Sequence, residues 1–241
     1  MKFNNSGDSF CYPRMPADKN PMTEEEVRAI CETTQNLGRR LAAHAHANSS
    51  VLQCLKFGVD LIYHATFVSD STIEKLEKVK DKYFVSPAFG LRYNTLYEAK
   101  DWGIDDEVNE RIGNKAEFEA CIESMSKLHK AGVKVLPFGD YGFAWVPIGT
   151  DTRDFEHFVN YFGFEPWEVL RAATAYGGEA YGVDKMGQVK PGYLADLLMI
   201  DGDPLEDLTL FQDRDKILMI MKDGRYHKQP QPRGRQRKAA A

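Results

Sequence analysis

At 241 residues, with 43% hydrophobic and 28% charged residues, the chain can bury a full core and lacks the composition of a disordered, collagen-like or disulfide-stapled protein. Its net charge of -5 speaks against a nucleic-acid partner, which would want a basic face. Four scattered cysteines without a CxxC pair, no apolar run long enough for a bilayer and no apolar stretch in residues 1–20 predict a cytoplasmic protein with reduced thiols and no membrane partner.

Taken in chain order, short apolar strands alternate with amphipathic helices. Residues 1–5 are a strand candidate followed by Ser6-Gly7-Asp8, and a loop with Pro13, Pro16 and Pro21 leads to Thr23-Glu24-Glu25-Glu26. That tetrapeptide is a capping box, in which the Thr23 hydroxyl accepts the Glu26 N–H and the Glu26 carboxylate reaches back. The helix it opens runs to Gly38, a glycine stop. A strand over 40–46 ends in His-Ala-His, a helix over 49–57 stops at Gly58, and a strand over 59–64 ends in His64. Asp70 or Ser71 caps a helix through Val79, and a strand over 82–87 precedes a long connection through Trp102. A helix spans 115–131, a strand over 133–138 ends in Gly139-Asp140, and further helices span 154–162 and 166–176. Strands near residues 2, 42, 61, 84 and 135, each followed by a helix, predict an α/β fold with a parallel sheet.

After the helices the pattern changes. Short strands at 188–189, 197–200, 217–221 and 225–227 are separated by Gly-Asp and Asp-Gly turns, and Asp223-Gly224 is a hairpin signal. The expected organisation is an α/β body over 1–184, a small all-β segment over 185–228 and a basic, disordered tail over 229–241.

Chemistry concentrates at strand ends. His44 and His46 close one strand, His64 the next and Asp140 a later one, which is where parallel barrels build their sites. Imidazole and carboxylate suit zinc and similar divalent ions. Each residue alone reads as a structural histidine or a Gly-Asp turn; their recurrence at successive strand ends points to a metal site of His44, His64 and Asp140. Lys2 shares this mouth, either as a cation near an acidic substrate or, once carbamylated, as an oxygen ligand able to bridge two metals. His129 reads as a surface residue, His157 as structural or rim, and His227 as structural or exposed. Arg92, Tyr93 and Tyr97 follow a strand at the mouth, and Arg92 either pairs with a substrate carboxylate or is a surface arginine beside packed tyrosines. Tyr141, Phe143 and Trp145 either line an apolar substrate pocket or pack in a long loop.

Several stretches carry a family resemblance: Lys2-Phe3-Asn4-Asn5-Ser6-Gly7-Asp8, His44-Ala45-His46-Ala47, Gly58-Val59-Asp60-Leu61-Ile62-Tyr63-His64-Ala65, and Ala131-Gly132-Val133-Lys134 leading to Gly139-Asp140-Tyr141-Gly142. Leu170-Arg171-Ala172-Ala173-Thr174, Gly187 through Leu197, and Met221-Lys222-Asp223-Gly224-Arg225 extend it over all but the basic tail. In this order they resemble the amidohydrolase superfamily, in the branch with imidazolonepropionase-like enzymes, prolidase-like metallo-dipeptidases and the fungal ochratoxin amidase. The resemblance implies a (β/α)8 TIM-type barrel with a small β-sandwich from both chain ends. It also implies a binuclear site built from a His-x-His pair on the first strand, a carbamylated lysine on the fourth, histidines on the fifth and sixth, and an aspartate on the eighth. Lys2, His44, His64 and Asp140 match the last four positions, and His46 matches a second pocket histidine facing substrate.

One departure stands out. Only Met1 precedes Lys2, so no His-x-His pair is present, and the resemblance makes the chain a partial barrel, strands four to eight, with exposed edges. The implied function is metal-dependent hydrolysis of the amide C–N bond of a dipeptide, cyclic amide or aryl amide. One or two divalent ions, zinc first, would serve with carbamylated Lys2, Asp140 as general base then acid, and His46 as oxyanion donor. His46, Arg92, Tyr93 and Tyr141 are the expected substrate contacts, the substrate is a small molecule, and a homo-oligomer fits. The alternative is a catalytically incomplete fragment acting as an assembly partner. A third reading takes the basic cluster at 232–238 as a nucleic-acid contact, against the acidic body.

Overall fold

A computed structural model describes residues 1–231. Five parallel strands, β1 (Lys2–Asn4), β2 (Ala42–Ala47), β3 (Leu61–Phe67), β4 (Phe84–Ser86) and β5 (Lys134–Val135), lie side by side in sequence order. The connections are α1 (Glu24–Asn36), α2 (Asn48–Phe57), α3 (Asp70–Lys78), and a group of three, α4 (Phe89–Tyr97), α5 (Asp106–Ile112) and α6 (Asn114–Lys130). After β5 come α7 (Asp154–Phe162), α8 (Pro166–Arg171) and α9 (Gly177–Tyr181). The predicted α/β class with a parallel sheet of five strands is what the chain adopts.

The core explains the pattern. Ile62, Val85 and Val135 from the strands meet Val51, Leu76, Leu128 and Phe158 from the helices, all buried. From Ala43 on, β2 is buried at every residue, as expected where a parallel strand is covered on both faces. The capping box of α1 forms, with Thr23 Oγ1 accepting the Glu26 N–H at 3.3 Å and Glu26 Oε2 accepting the Thr23 N–H at 2.8 Å.

Three local expectations fail for identifiable reasons. The stretch read as a long connection through Trp102 contains α4, whose N-cap is Ala88 in a left-handed conformation (φ 54°) without a side-chain cap. Tertiary burial of Phe89, Leu91, Arg92, Asn94 and Thr95 holds this helix, so no local start signal was there to read. The strand expected over 133–138 shrinks to Lys134–Val135, because Pro137 has no N–H and the backbone turns left-handed at Phe138, Gly139 and Asp140 (φ 81°, 135° and 57°). No strand forms at 188–189, where Val189 is exposed.

The helix expected over 166–176 becomes α8, a wide π-type turn over Ala172–Tyr176, and α9. Beyond it, β6 (Leu197–Ile200), β7 (Ile217–Lys222) and β8 (Arg225–Lys228) form an antiparallel sheet in the order β6-β7-β8. The Asp223-Gly224 turn has φ 47° and 73°, the paired positive values of a two-residue hairpin. The expected tail disorder and the basic cluster fall, from residue 232, outside the described residues. Among the described residues no helix is long and apolar enough to cross a membrane, and all four cysteines are free.

Ile62 sits fully buried on the central strand β3, so Ile62→Ala removes packing that nothing can refill. Denaturant unfolding should show a loss of about 2–5 kcal/mol, and a loss under about 1 kcal/mol would contradict this core assignment.

Candidate functional site

The site is assembled by the loop after β1, which folds back over the ends of β2 and β3. The Asn5 N–H donates to the His44 carbonyl at 2.8 Å, and the His46 N–H donates to Ser6 Oγ at 2.8 Å. Gly7 packs so closely that a Cβ there would stand 2.2 Å from the Met15 carbonyl oxygen. Its own carbonyl accepts from His44 Nε2 at 2.9 Å.

That last bond sets the chemistry. A carbonyl can only accept, so His44 carries its proton on Nε2 and keeps a lone pair on Nδ1. His44 Nδ1 faces His64 Nε2 at 3.0 Å. His64 Nδ1 is buried without a hydrogen-bond partner of normal geometry and lies against the Pro87 backbone. With the His44 lone pair on Nδ1, the contact is a hydrogen bond donated by His64 Nε2–H; loss of that proton would leave two lone pairs facing each other. Asp140 Oδ2 lies 3.7 Å from His64 Nε2.

Register alone would not bring His64 here. It pairs with Ala45, one residue out of phase with His44 on the pleat. Left-handed conformations at His64 and Ala65 (φ 77° and 47°) break the alternation and let the ring reach His44. Left-handed residues recur at the neighbouring strand ends, at Ala88, Phe138 and Asp140. Such strain persists only where surrounding structure enforces it, and it clusters at functional sites.

His46 is placed differently. Its ring stacks on His64 with centroids 4.0 Å and planes 6° apart, and its Nδ1 meets Thr66 Oγ1 at 2.8 Å. Arg92 Nη2 lies 3.2 Å from His46 Nε2, and because a guanidinium only donates, that nitrogen is the acceptor. Both ring nitrogens thus have partners inside the protein, so the oxyanion-donor geometry expected of His46 is not presented.

Arg92 is neither a surface residue nor open to a substrate carboxylate. It is buried, with Nη1 donating to Ser9 Oγ at 2.7 Å and Nη2 at 3.0 Å from Glu117 and 3.4 Å from Asp8. A permanently charged group in the interior needs such partners. Burial pushes Glu117 up to about 7 against the pull of Arg92. Asp8 goes the other way: although burial would raise it, contact with His46 and the charge of Arg92 hold it well below the usual carboxylate range.

Of the other expected site residues, Tyr93 packs among Tyr97, Phe118 and His157 in the helix layer rather than on His44, His46 or His64. The Tyr141 hydroxyl reaches the Asp151 carbonyl at 3.3 Å and lies against the buried Asp154 carboxylate. Asp154 also accepts the Phe138 N–H at 2.8 Å and the His157 Nδ1 proton at 3.2 Å, bracing the turn that carries Asp140. Gly90 makes room for this knot, since a Cβ there would fall 2.5 Å from the Tyr141 hydroxyl. Lys2 lies on the same face as His44, one pleat earlier, with Nζ 5.6 Å from the Tyr63 ring centroid, and its charge is felt by both His44 and Asp140. His129 stacks on Phe164 and faces Glu168, His157 is buried, and His227 is exposed.

The donor set fits a divalent cation. Ligands about 2.0–2.1 Å from a tetrahedral zinc stand about 3.3 Å apart. The 3.0 Å and 3.7 Å separations bracket that spacing. One ring nitrogen from each of His44, His46 and His64 lies within 4.8 Å of the other two. The Gly7 carbonyl on His44 Nε2 is the kind of acceptor that orients a histidine whose other nitrogen faces a cation.

The sequence profile of the amidohydrolase family matches residues 10–226. This chain belongs to the amidohydrolase family. It is 25% identical to the ochratoxinase of Aspergillus niger over 222 residues, 90% of this chain and 44% of that one. The crystal structure of A. niger ochratoxinase superposes with a TM-score of 0.82 at 21% identity, covering 95% of this chain and 50% of the other. That of a candidate prolidase from Bifidobacterium longum gives 0.81 at 28% identity, with 96% and 56% covered. The amidohydrolase chain therefore spans about half the length of the relatives it matches.

Asp8, Glu117, Thr66 and Asp154 were not read as site residues. Asp8 had a signal, since it follows Ser6-Gly7 at a strand end; Glu117 and Asp154 sit on helices among many exposed carboxylates and had none.

Burial holds all three imidazoles below the ordinary 6.5, with His46 at about 3 and His44 and His64 shifted the same way. Unfolded histidines take up protons near pH 6.5 while these do not, so their contribution to stability is complete above that pH and is lost as the pH falls below it. Taken by themselves, the three imidazoles should make the metal-free amidohydrolase about 1 kcal/mol or more less stable at pH 5 than at pH 7, while Glu117, raised to about 7, gains stability over the same range and opposes that loss. Denaturant melts of the wild type and His46→Gln separate the two: the variant should lose less, or gain more, on acidification, and identical pH slopes would contradict the assignment.

Proposed function

We propose that this amidohydrolase carries the metal-binding half of an amide-hydrolysing site, with His44 Nδ1, His64 Nε2 and Asp140 holding a divalent cation, zinc first. The supporting observation is the pair of imidazole nitrogens facing each other at 3.0 Å with a carboxylate 3.7 Å away. When bound, such an ion polarises an amide carbonyl and lowers the pKa of a water. The chain's own groups do the rest. Asp140 is partly exposed, and burial raises its proton affinity against the charges of Arg92, Lys2 and His44. A carboxylate so tuned takes the proton of the attacking water and returns it to the leaving amine.

Lys2 keeps both of its readings: its cation steadies the Asp140 carboxylate, and its carbamate would add an oxygen donor on the same face. On the other side, the Arg92 guanidinium fills the space between His46 and Asp8. This favours one ion per chain over two. The substrate class is a small-molecule amide, a dipeptide, cyclic amide or aryl amide, which agrees with relatives named ochratoxinase and candidate prolidase. Four free, scattered cysteines favour a reducing compartment, the cytoplasm, as its location.

Metal analysis after zinc loading should give close to one ion per chain, and His44→Ala or His64→Ala should bring it below about a tenth of that. Asp140→Asn should retain the ion and lower turnover of a dipeptide or aryl amide by about 10²–10⁴-fold. An Asn variant with most of its activity would refute the proton shuttle. Bound zinc with no turnover in any preparation would favour the non-catalytic, assembly-partner reading.

A further inference from the structure

Two half-exposed aromatic rings beside the strand ends have no part in the chemistry just described. Phe10 lies on the short turn two residues after Asp8, and Phe143 on the loop three residues after Asp140. Their loops spring from opposite edges of the sheet, β1 and β5. Even so, the two rings stack, with centroids 6.0 Å and planes 19° apart, and each stays 40% exposed. Trp145 completes the group, 5.3 Å from Phe143 and 6.3 Å from Phe10.

The group is rigid. Trp145 Nε1 donates to Thr95 Oγ1 at 2.9 Å, and its carbonyl accepts from Asn94 Nδ2 at 2.8 Å. The Gly142 N–H donates to Val146 O and the Val146 N–H to Phe143 O, at 2.8 and 2.9 Å. With the polar handle of Trp145 satisfied inside the protein, only ring surface is left facing outward. The group is also joined to the site: the Arg92 guanidinium that holds His46 lies 5.9 Å from the Phe10 ring.

We propose that Phe10, Phe143 and Trp145 form a subsite for an aromatic ring of the amide substrate, carried on its acyl part or on the residue next to the scissile bond. The proposal deepens the metal-site reading and rests on it. Three arguments select a ring as the occupant. The platform is aromatic, with two rings stacked within 19° and the Trp145 ring tilted beside them, so it rewards ring contacts beyond simple burial. It is preorganised, so binding orders no loop. It is also continuous with the loops that carry Asp8 and Asp140, so a substrate held there extends toward the reacting centre.

Isothermal titration of the zinc-loaded chain with N-benzoylglycine and N-acetylglycine tests this. The benzoyl probe should bind about tenfold more tightly. The double variant Phe10→Leu, Phe143→Leu keeps apolar bulk and should cut that preference to about twofold, with zinc content unchanged. Should the double variant fail to fold, Phe143→Leu alone, read by quenching of tryptophan fluorescence, should still weaken the contrast between the probes. Equal affinities in the wild type, binding of neither probe, or a preference that survives the substitutions would overturn the subsite. A benzoyl preference in a chain that binds no zinc would instead sink the metal-site reading and leave the aromatic subsite standing.

Discussion

The arrangement depends on one backbone oxygen. By accepting from His44 Nε2, the Gly7 carbonyl decides which nitrogen of that ring keeps a lone pair, and so which side of the ring can bind anything. Everything about the loop after β1 serves that contact. Gly7 has no Cβ because Met15 leaves no room for one, and Ser6 and Asn5 pin the flanking residues to β2. Across from it, strained conformations at His64 and Ala65 bring the second imidazole to 3.0 Å, and a strained turn brings Asp140. Each such residue costs on the order of 1–3 kcal/mol, which the buried core beneath must offset.

The second organising element is the cation that the protein already contains. Arg92 draws together Asp8, Ser9, Glu117 and His46, which come from the first loop, α6 and β2. It ties the loop down and fixes the tautomer of His46, whose ring then backs His64. The site therefore has two halves of different character. One is a cluster gathered round the buried, permanently charged Arg92; the other is a pair of facing nitrogens beside a partly exposed carboxylate.

Much of this was legible in the sequence. Alternating strands and helices gave the parallel sheet, and His44, His64 and Asp140 were read as strand-end residues; in the fold β2 and β3 run on to Ala47 and Phe67 past the two histidines, and Asp140 lies five residues beyond β5, so the grouping was legible but the strand bounds were not. What the sequence hid was orientation. No periodicity distinguishes His46, tied to Arg92 and Thr66, from His44, two residues away and tied to Gly7 and His64. Arg92 looked like a mouth residue because α4 has no start signal, and without that helix its burial could not be foreseen. Tyr93 was misplaced for the same reason, since one step along an unrecognised helix turned it to the opposite side. The aromatic platform was half visible: Phe143 and Trp145 stood out beside Asp140, but Phe10 joins them only through a contact between opposite sheet edges.

Zinc K-edge X-ray absorption of the loaded chain reports on the ligand atoms without requiring turnover. The expected spectrum has a first shell of nitrogen and oxygen at about 2.0–2.1 Å, with outer-shell scattering from two imidazole rings. A spectrum lacking imidazole scattering, or fitted by one ring alone, would mean that His44 and His64 do not share a cation.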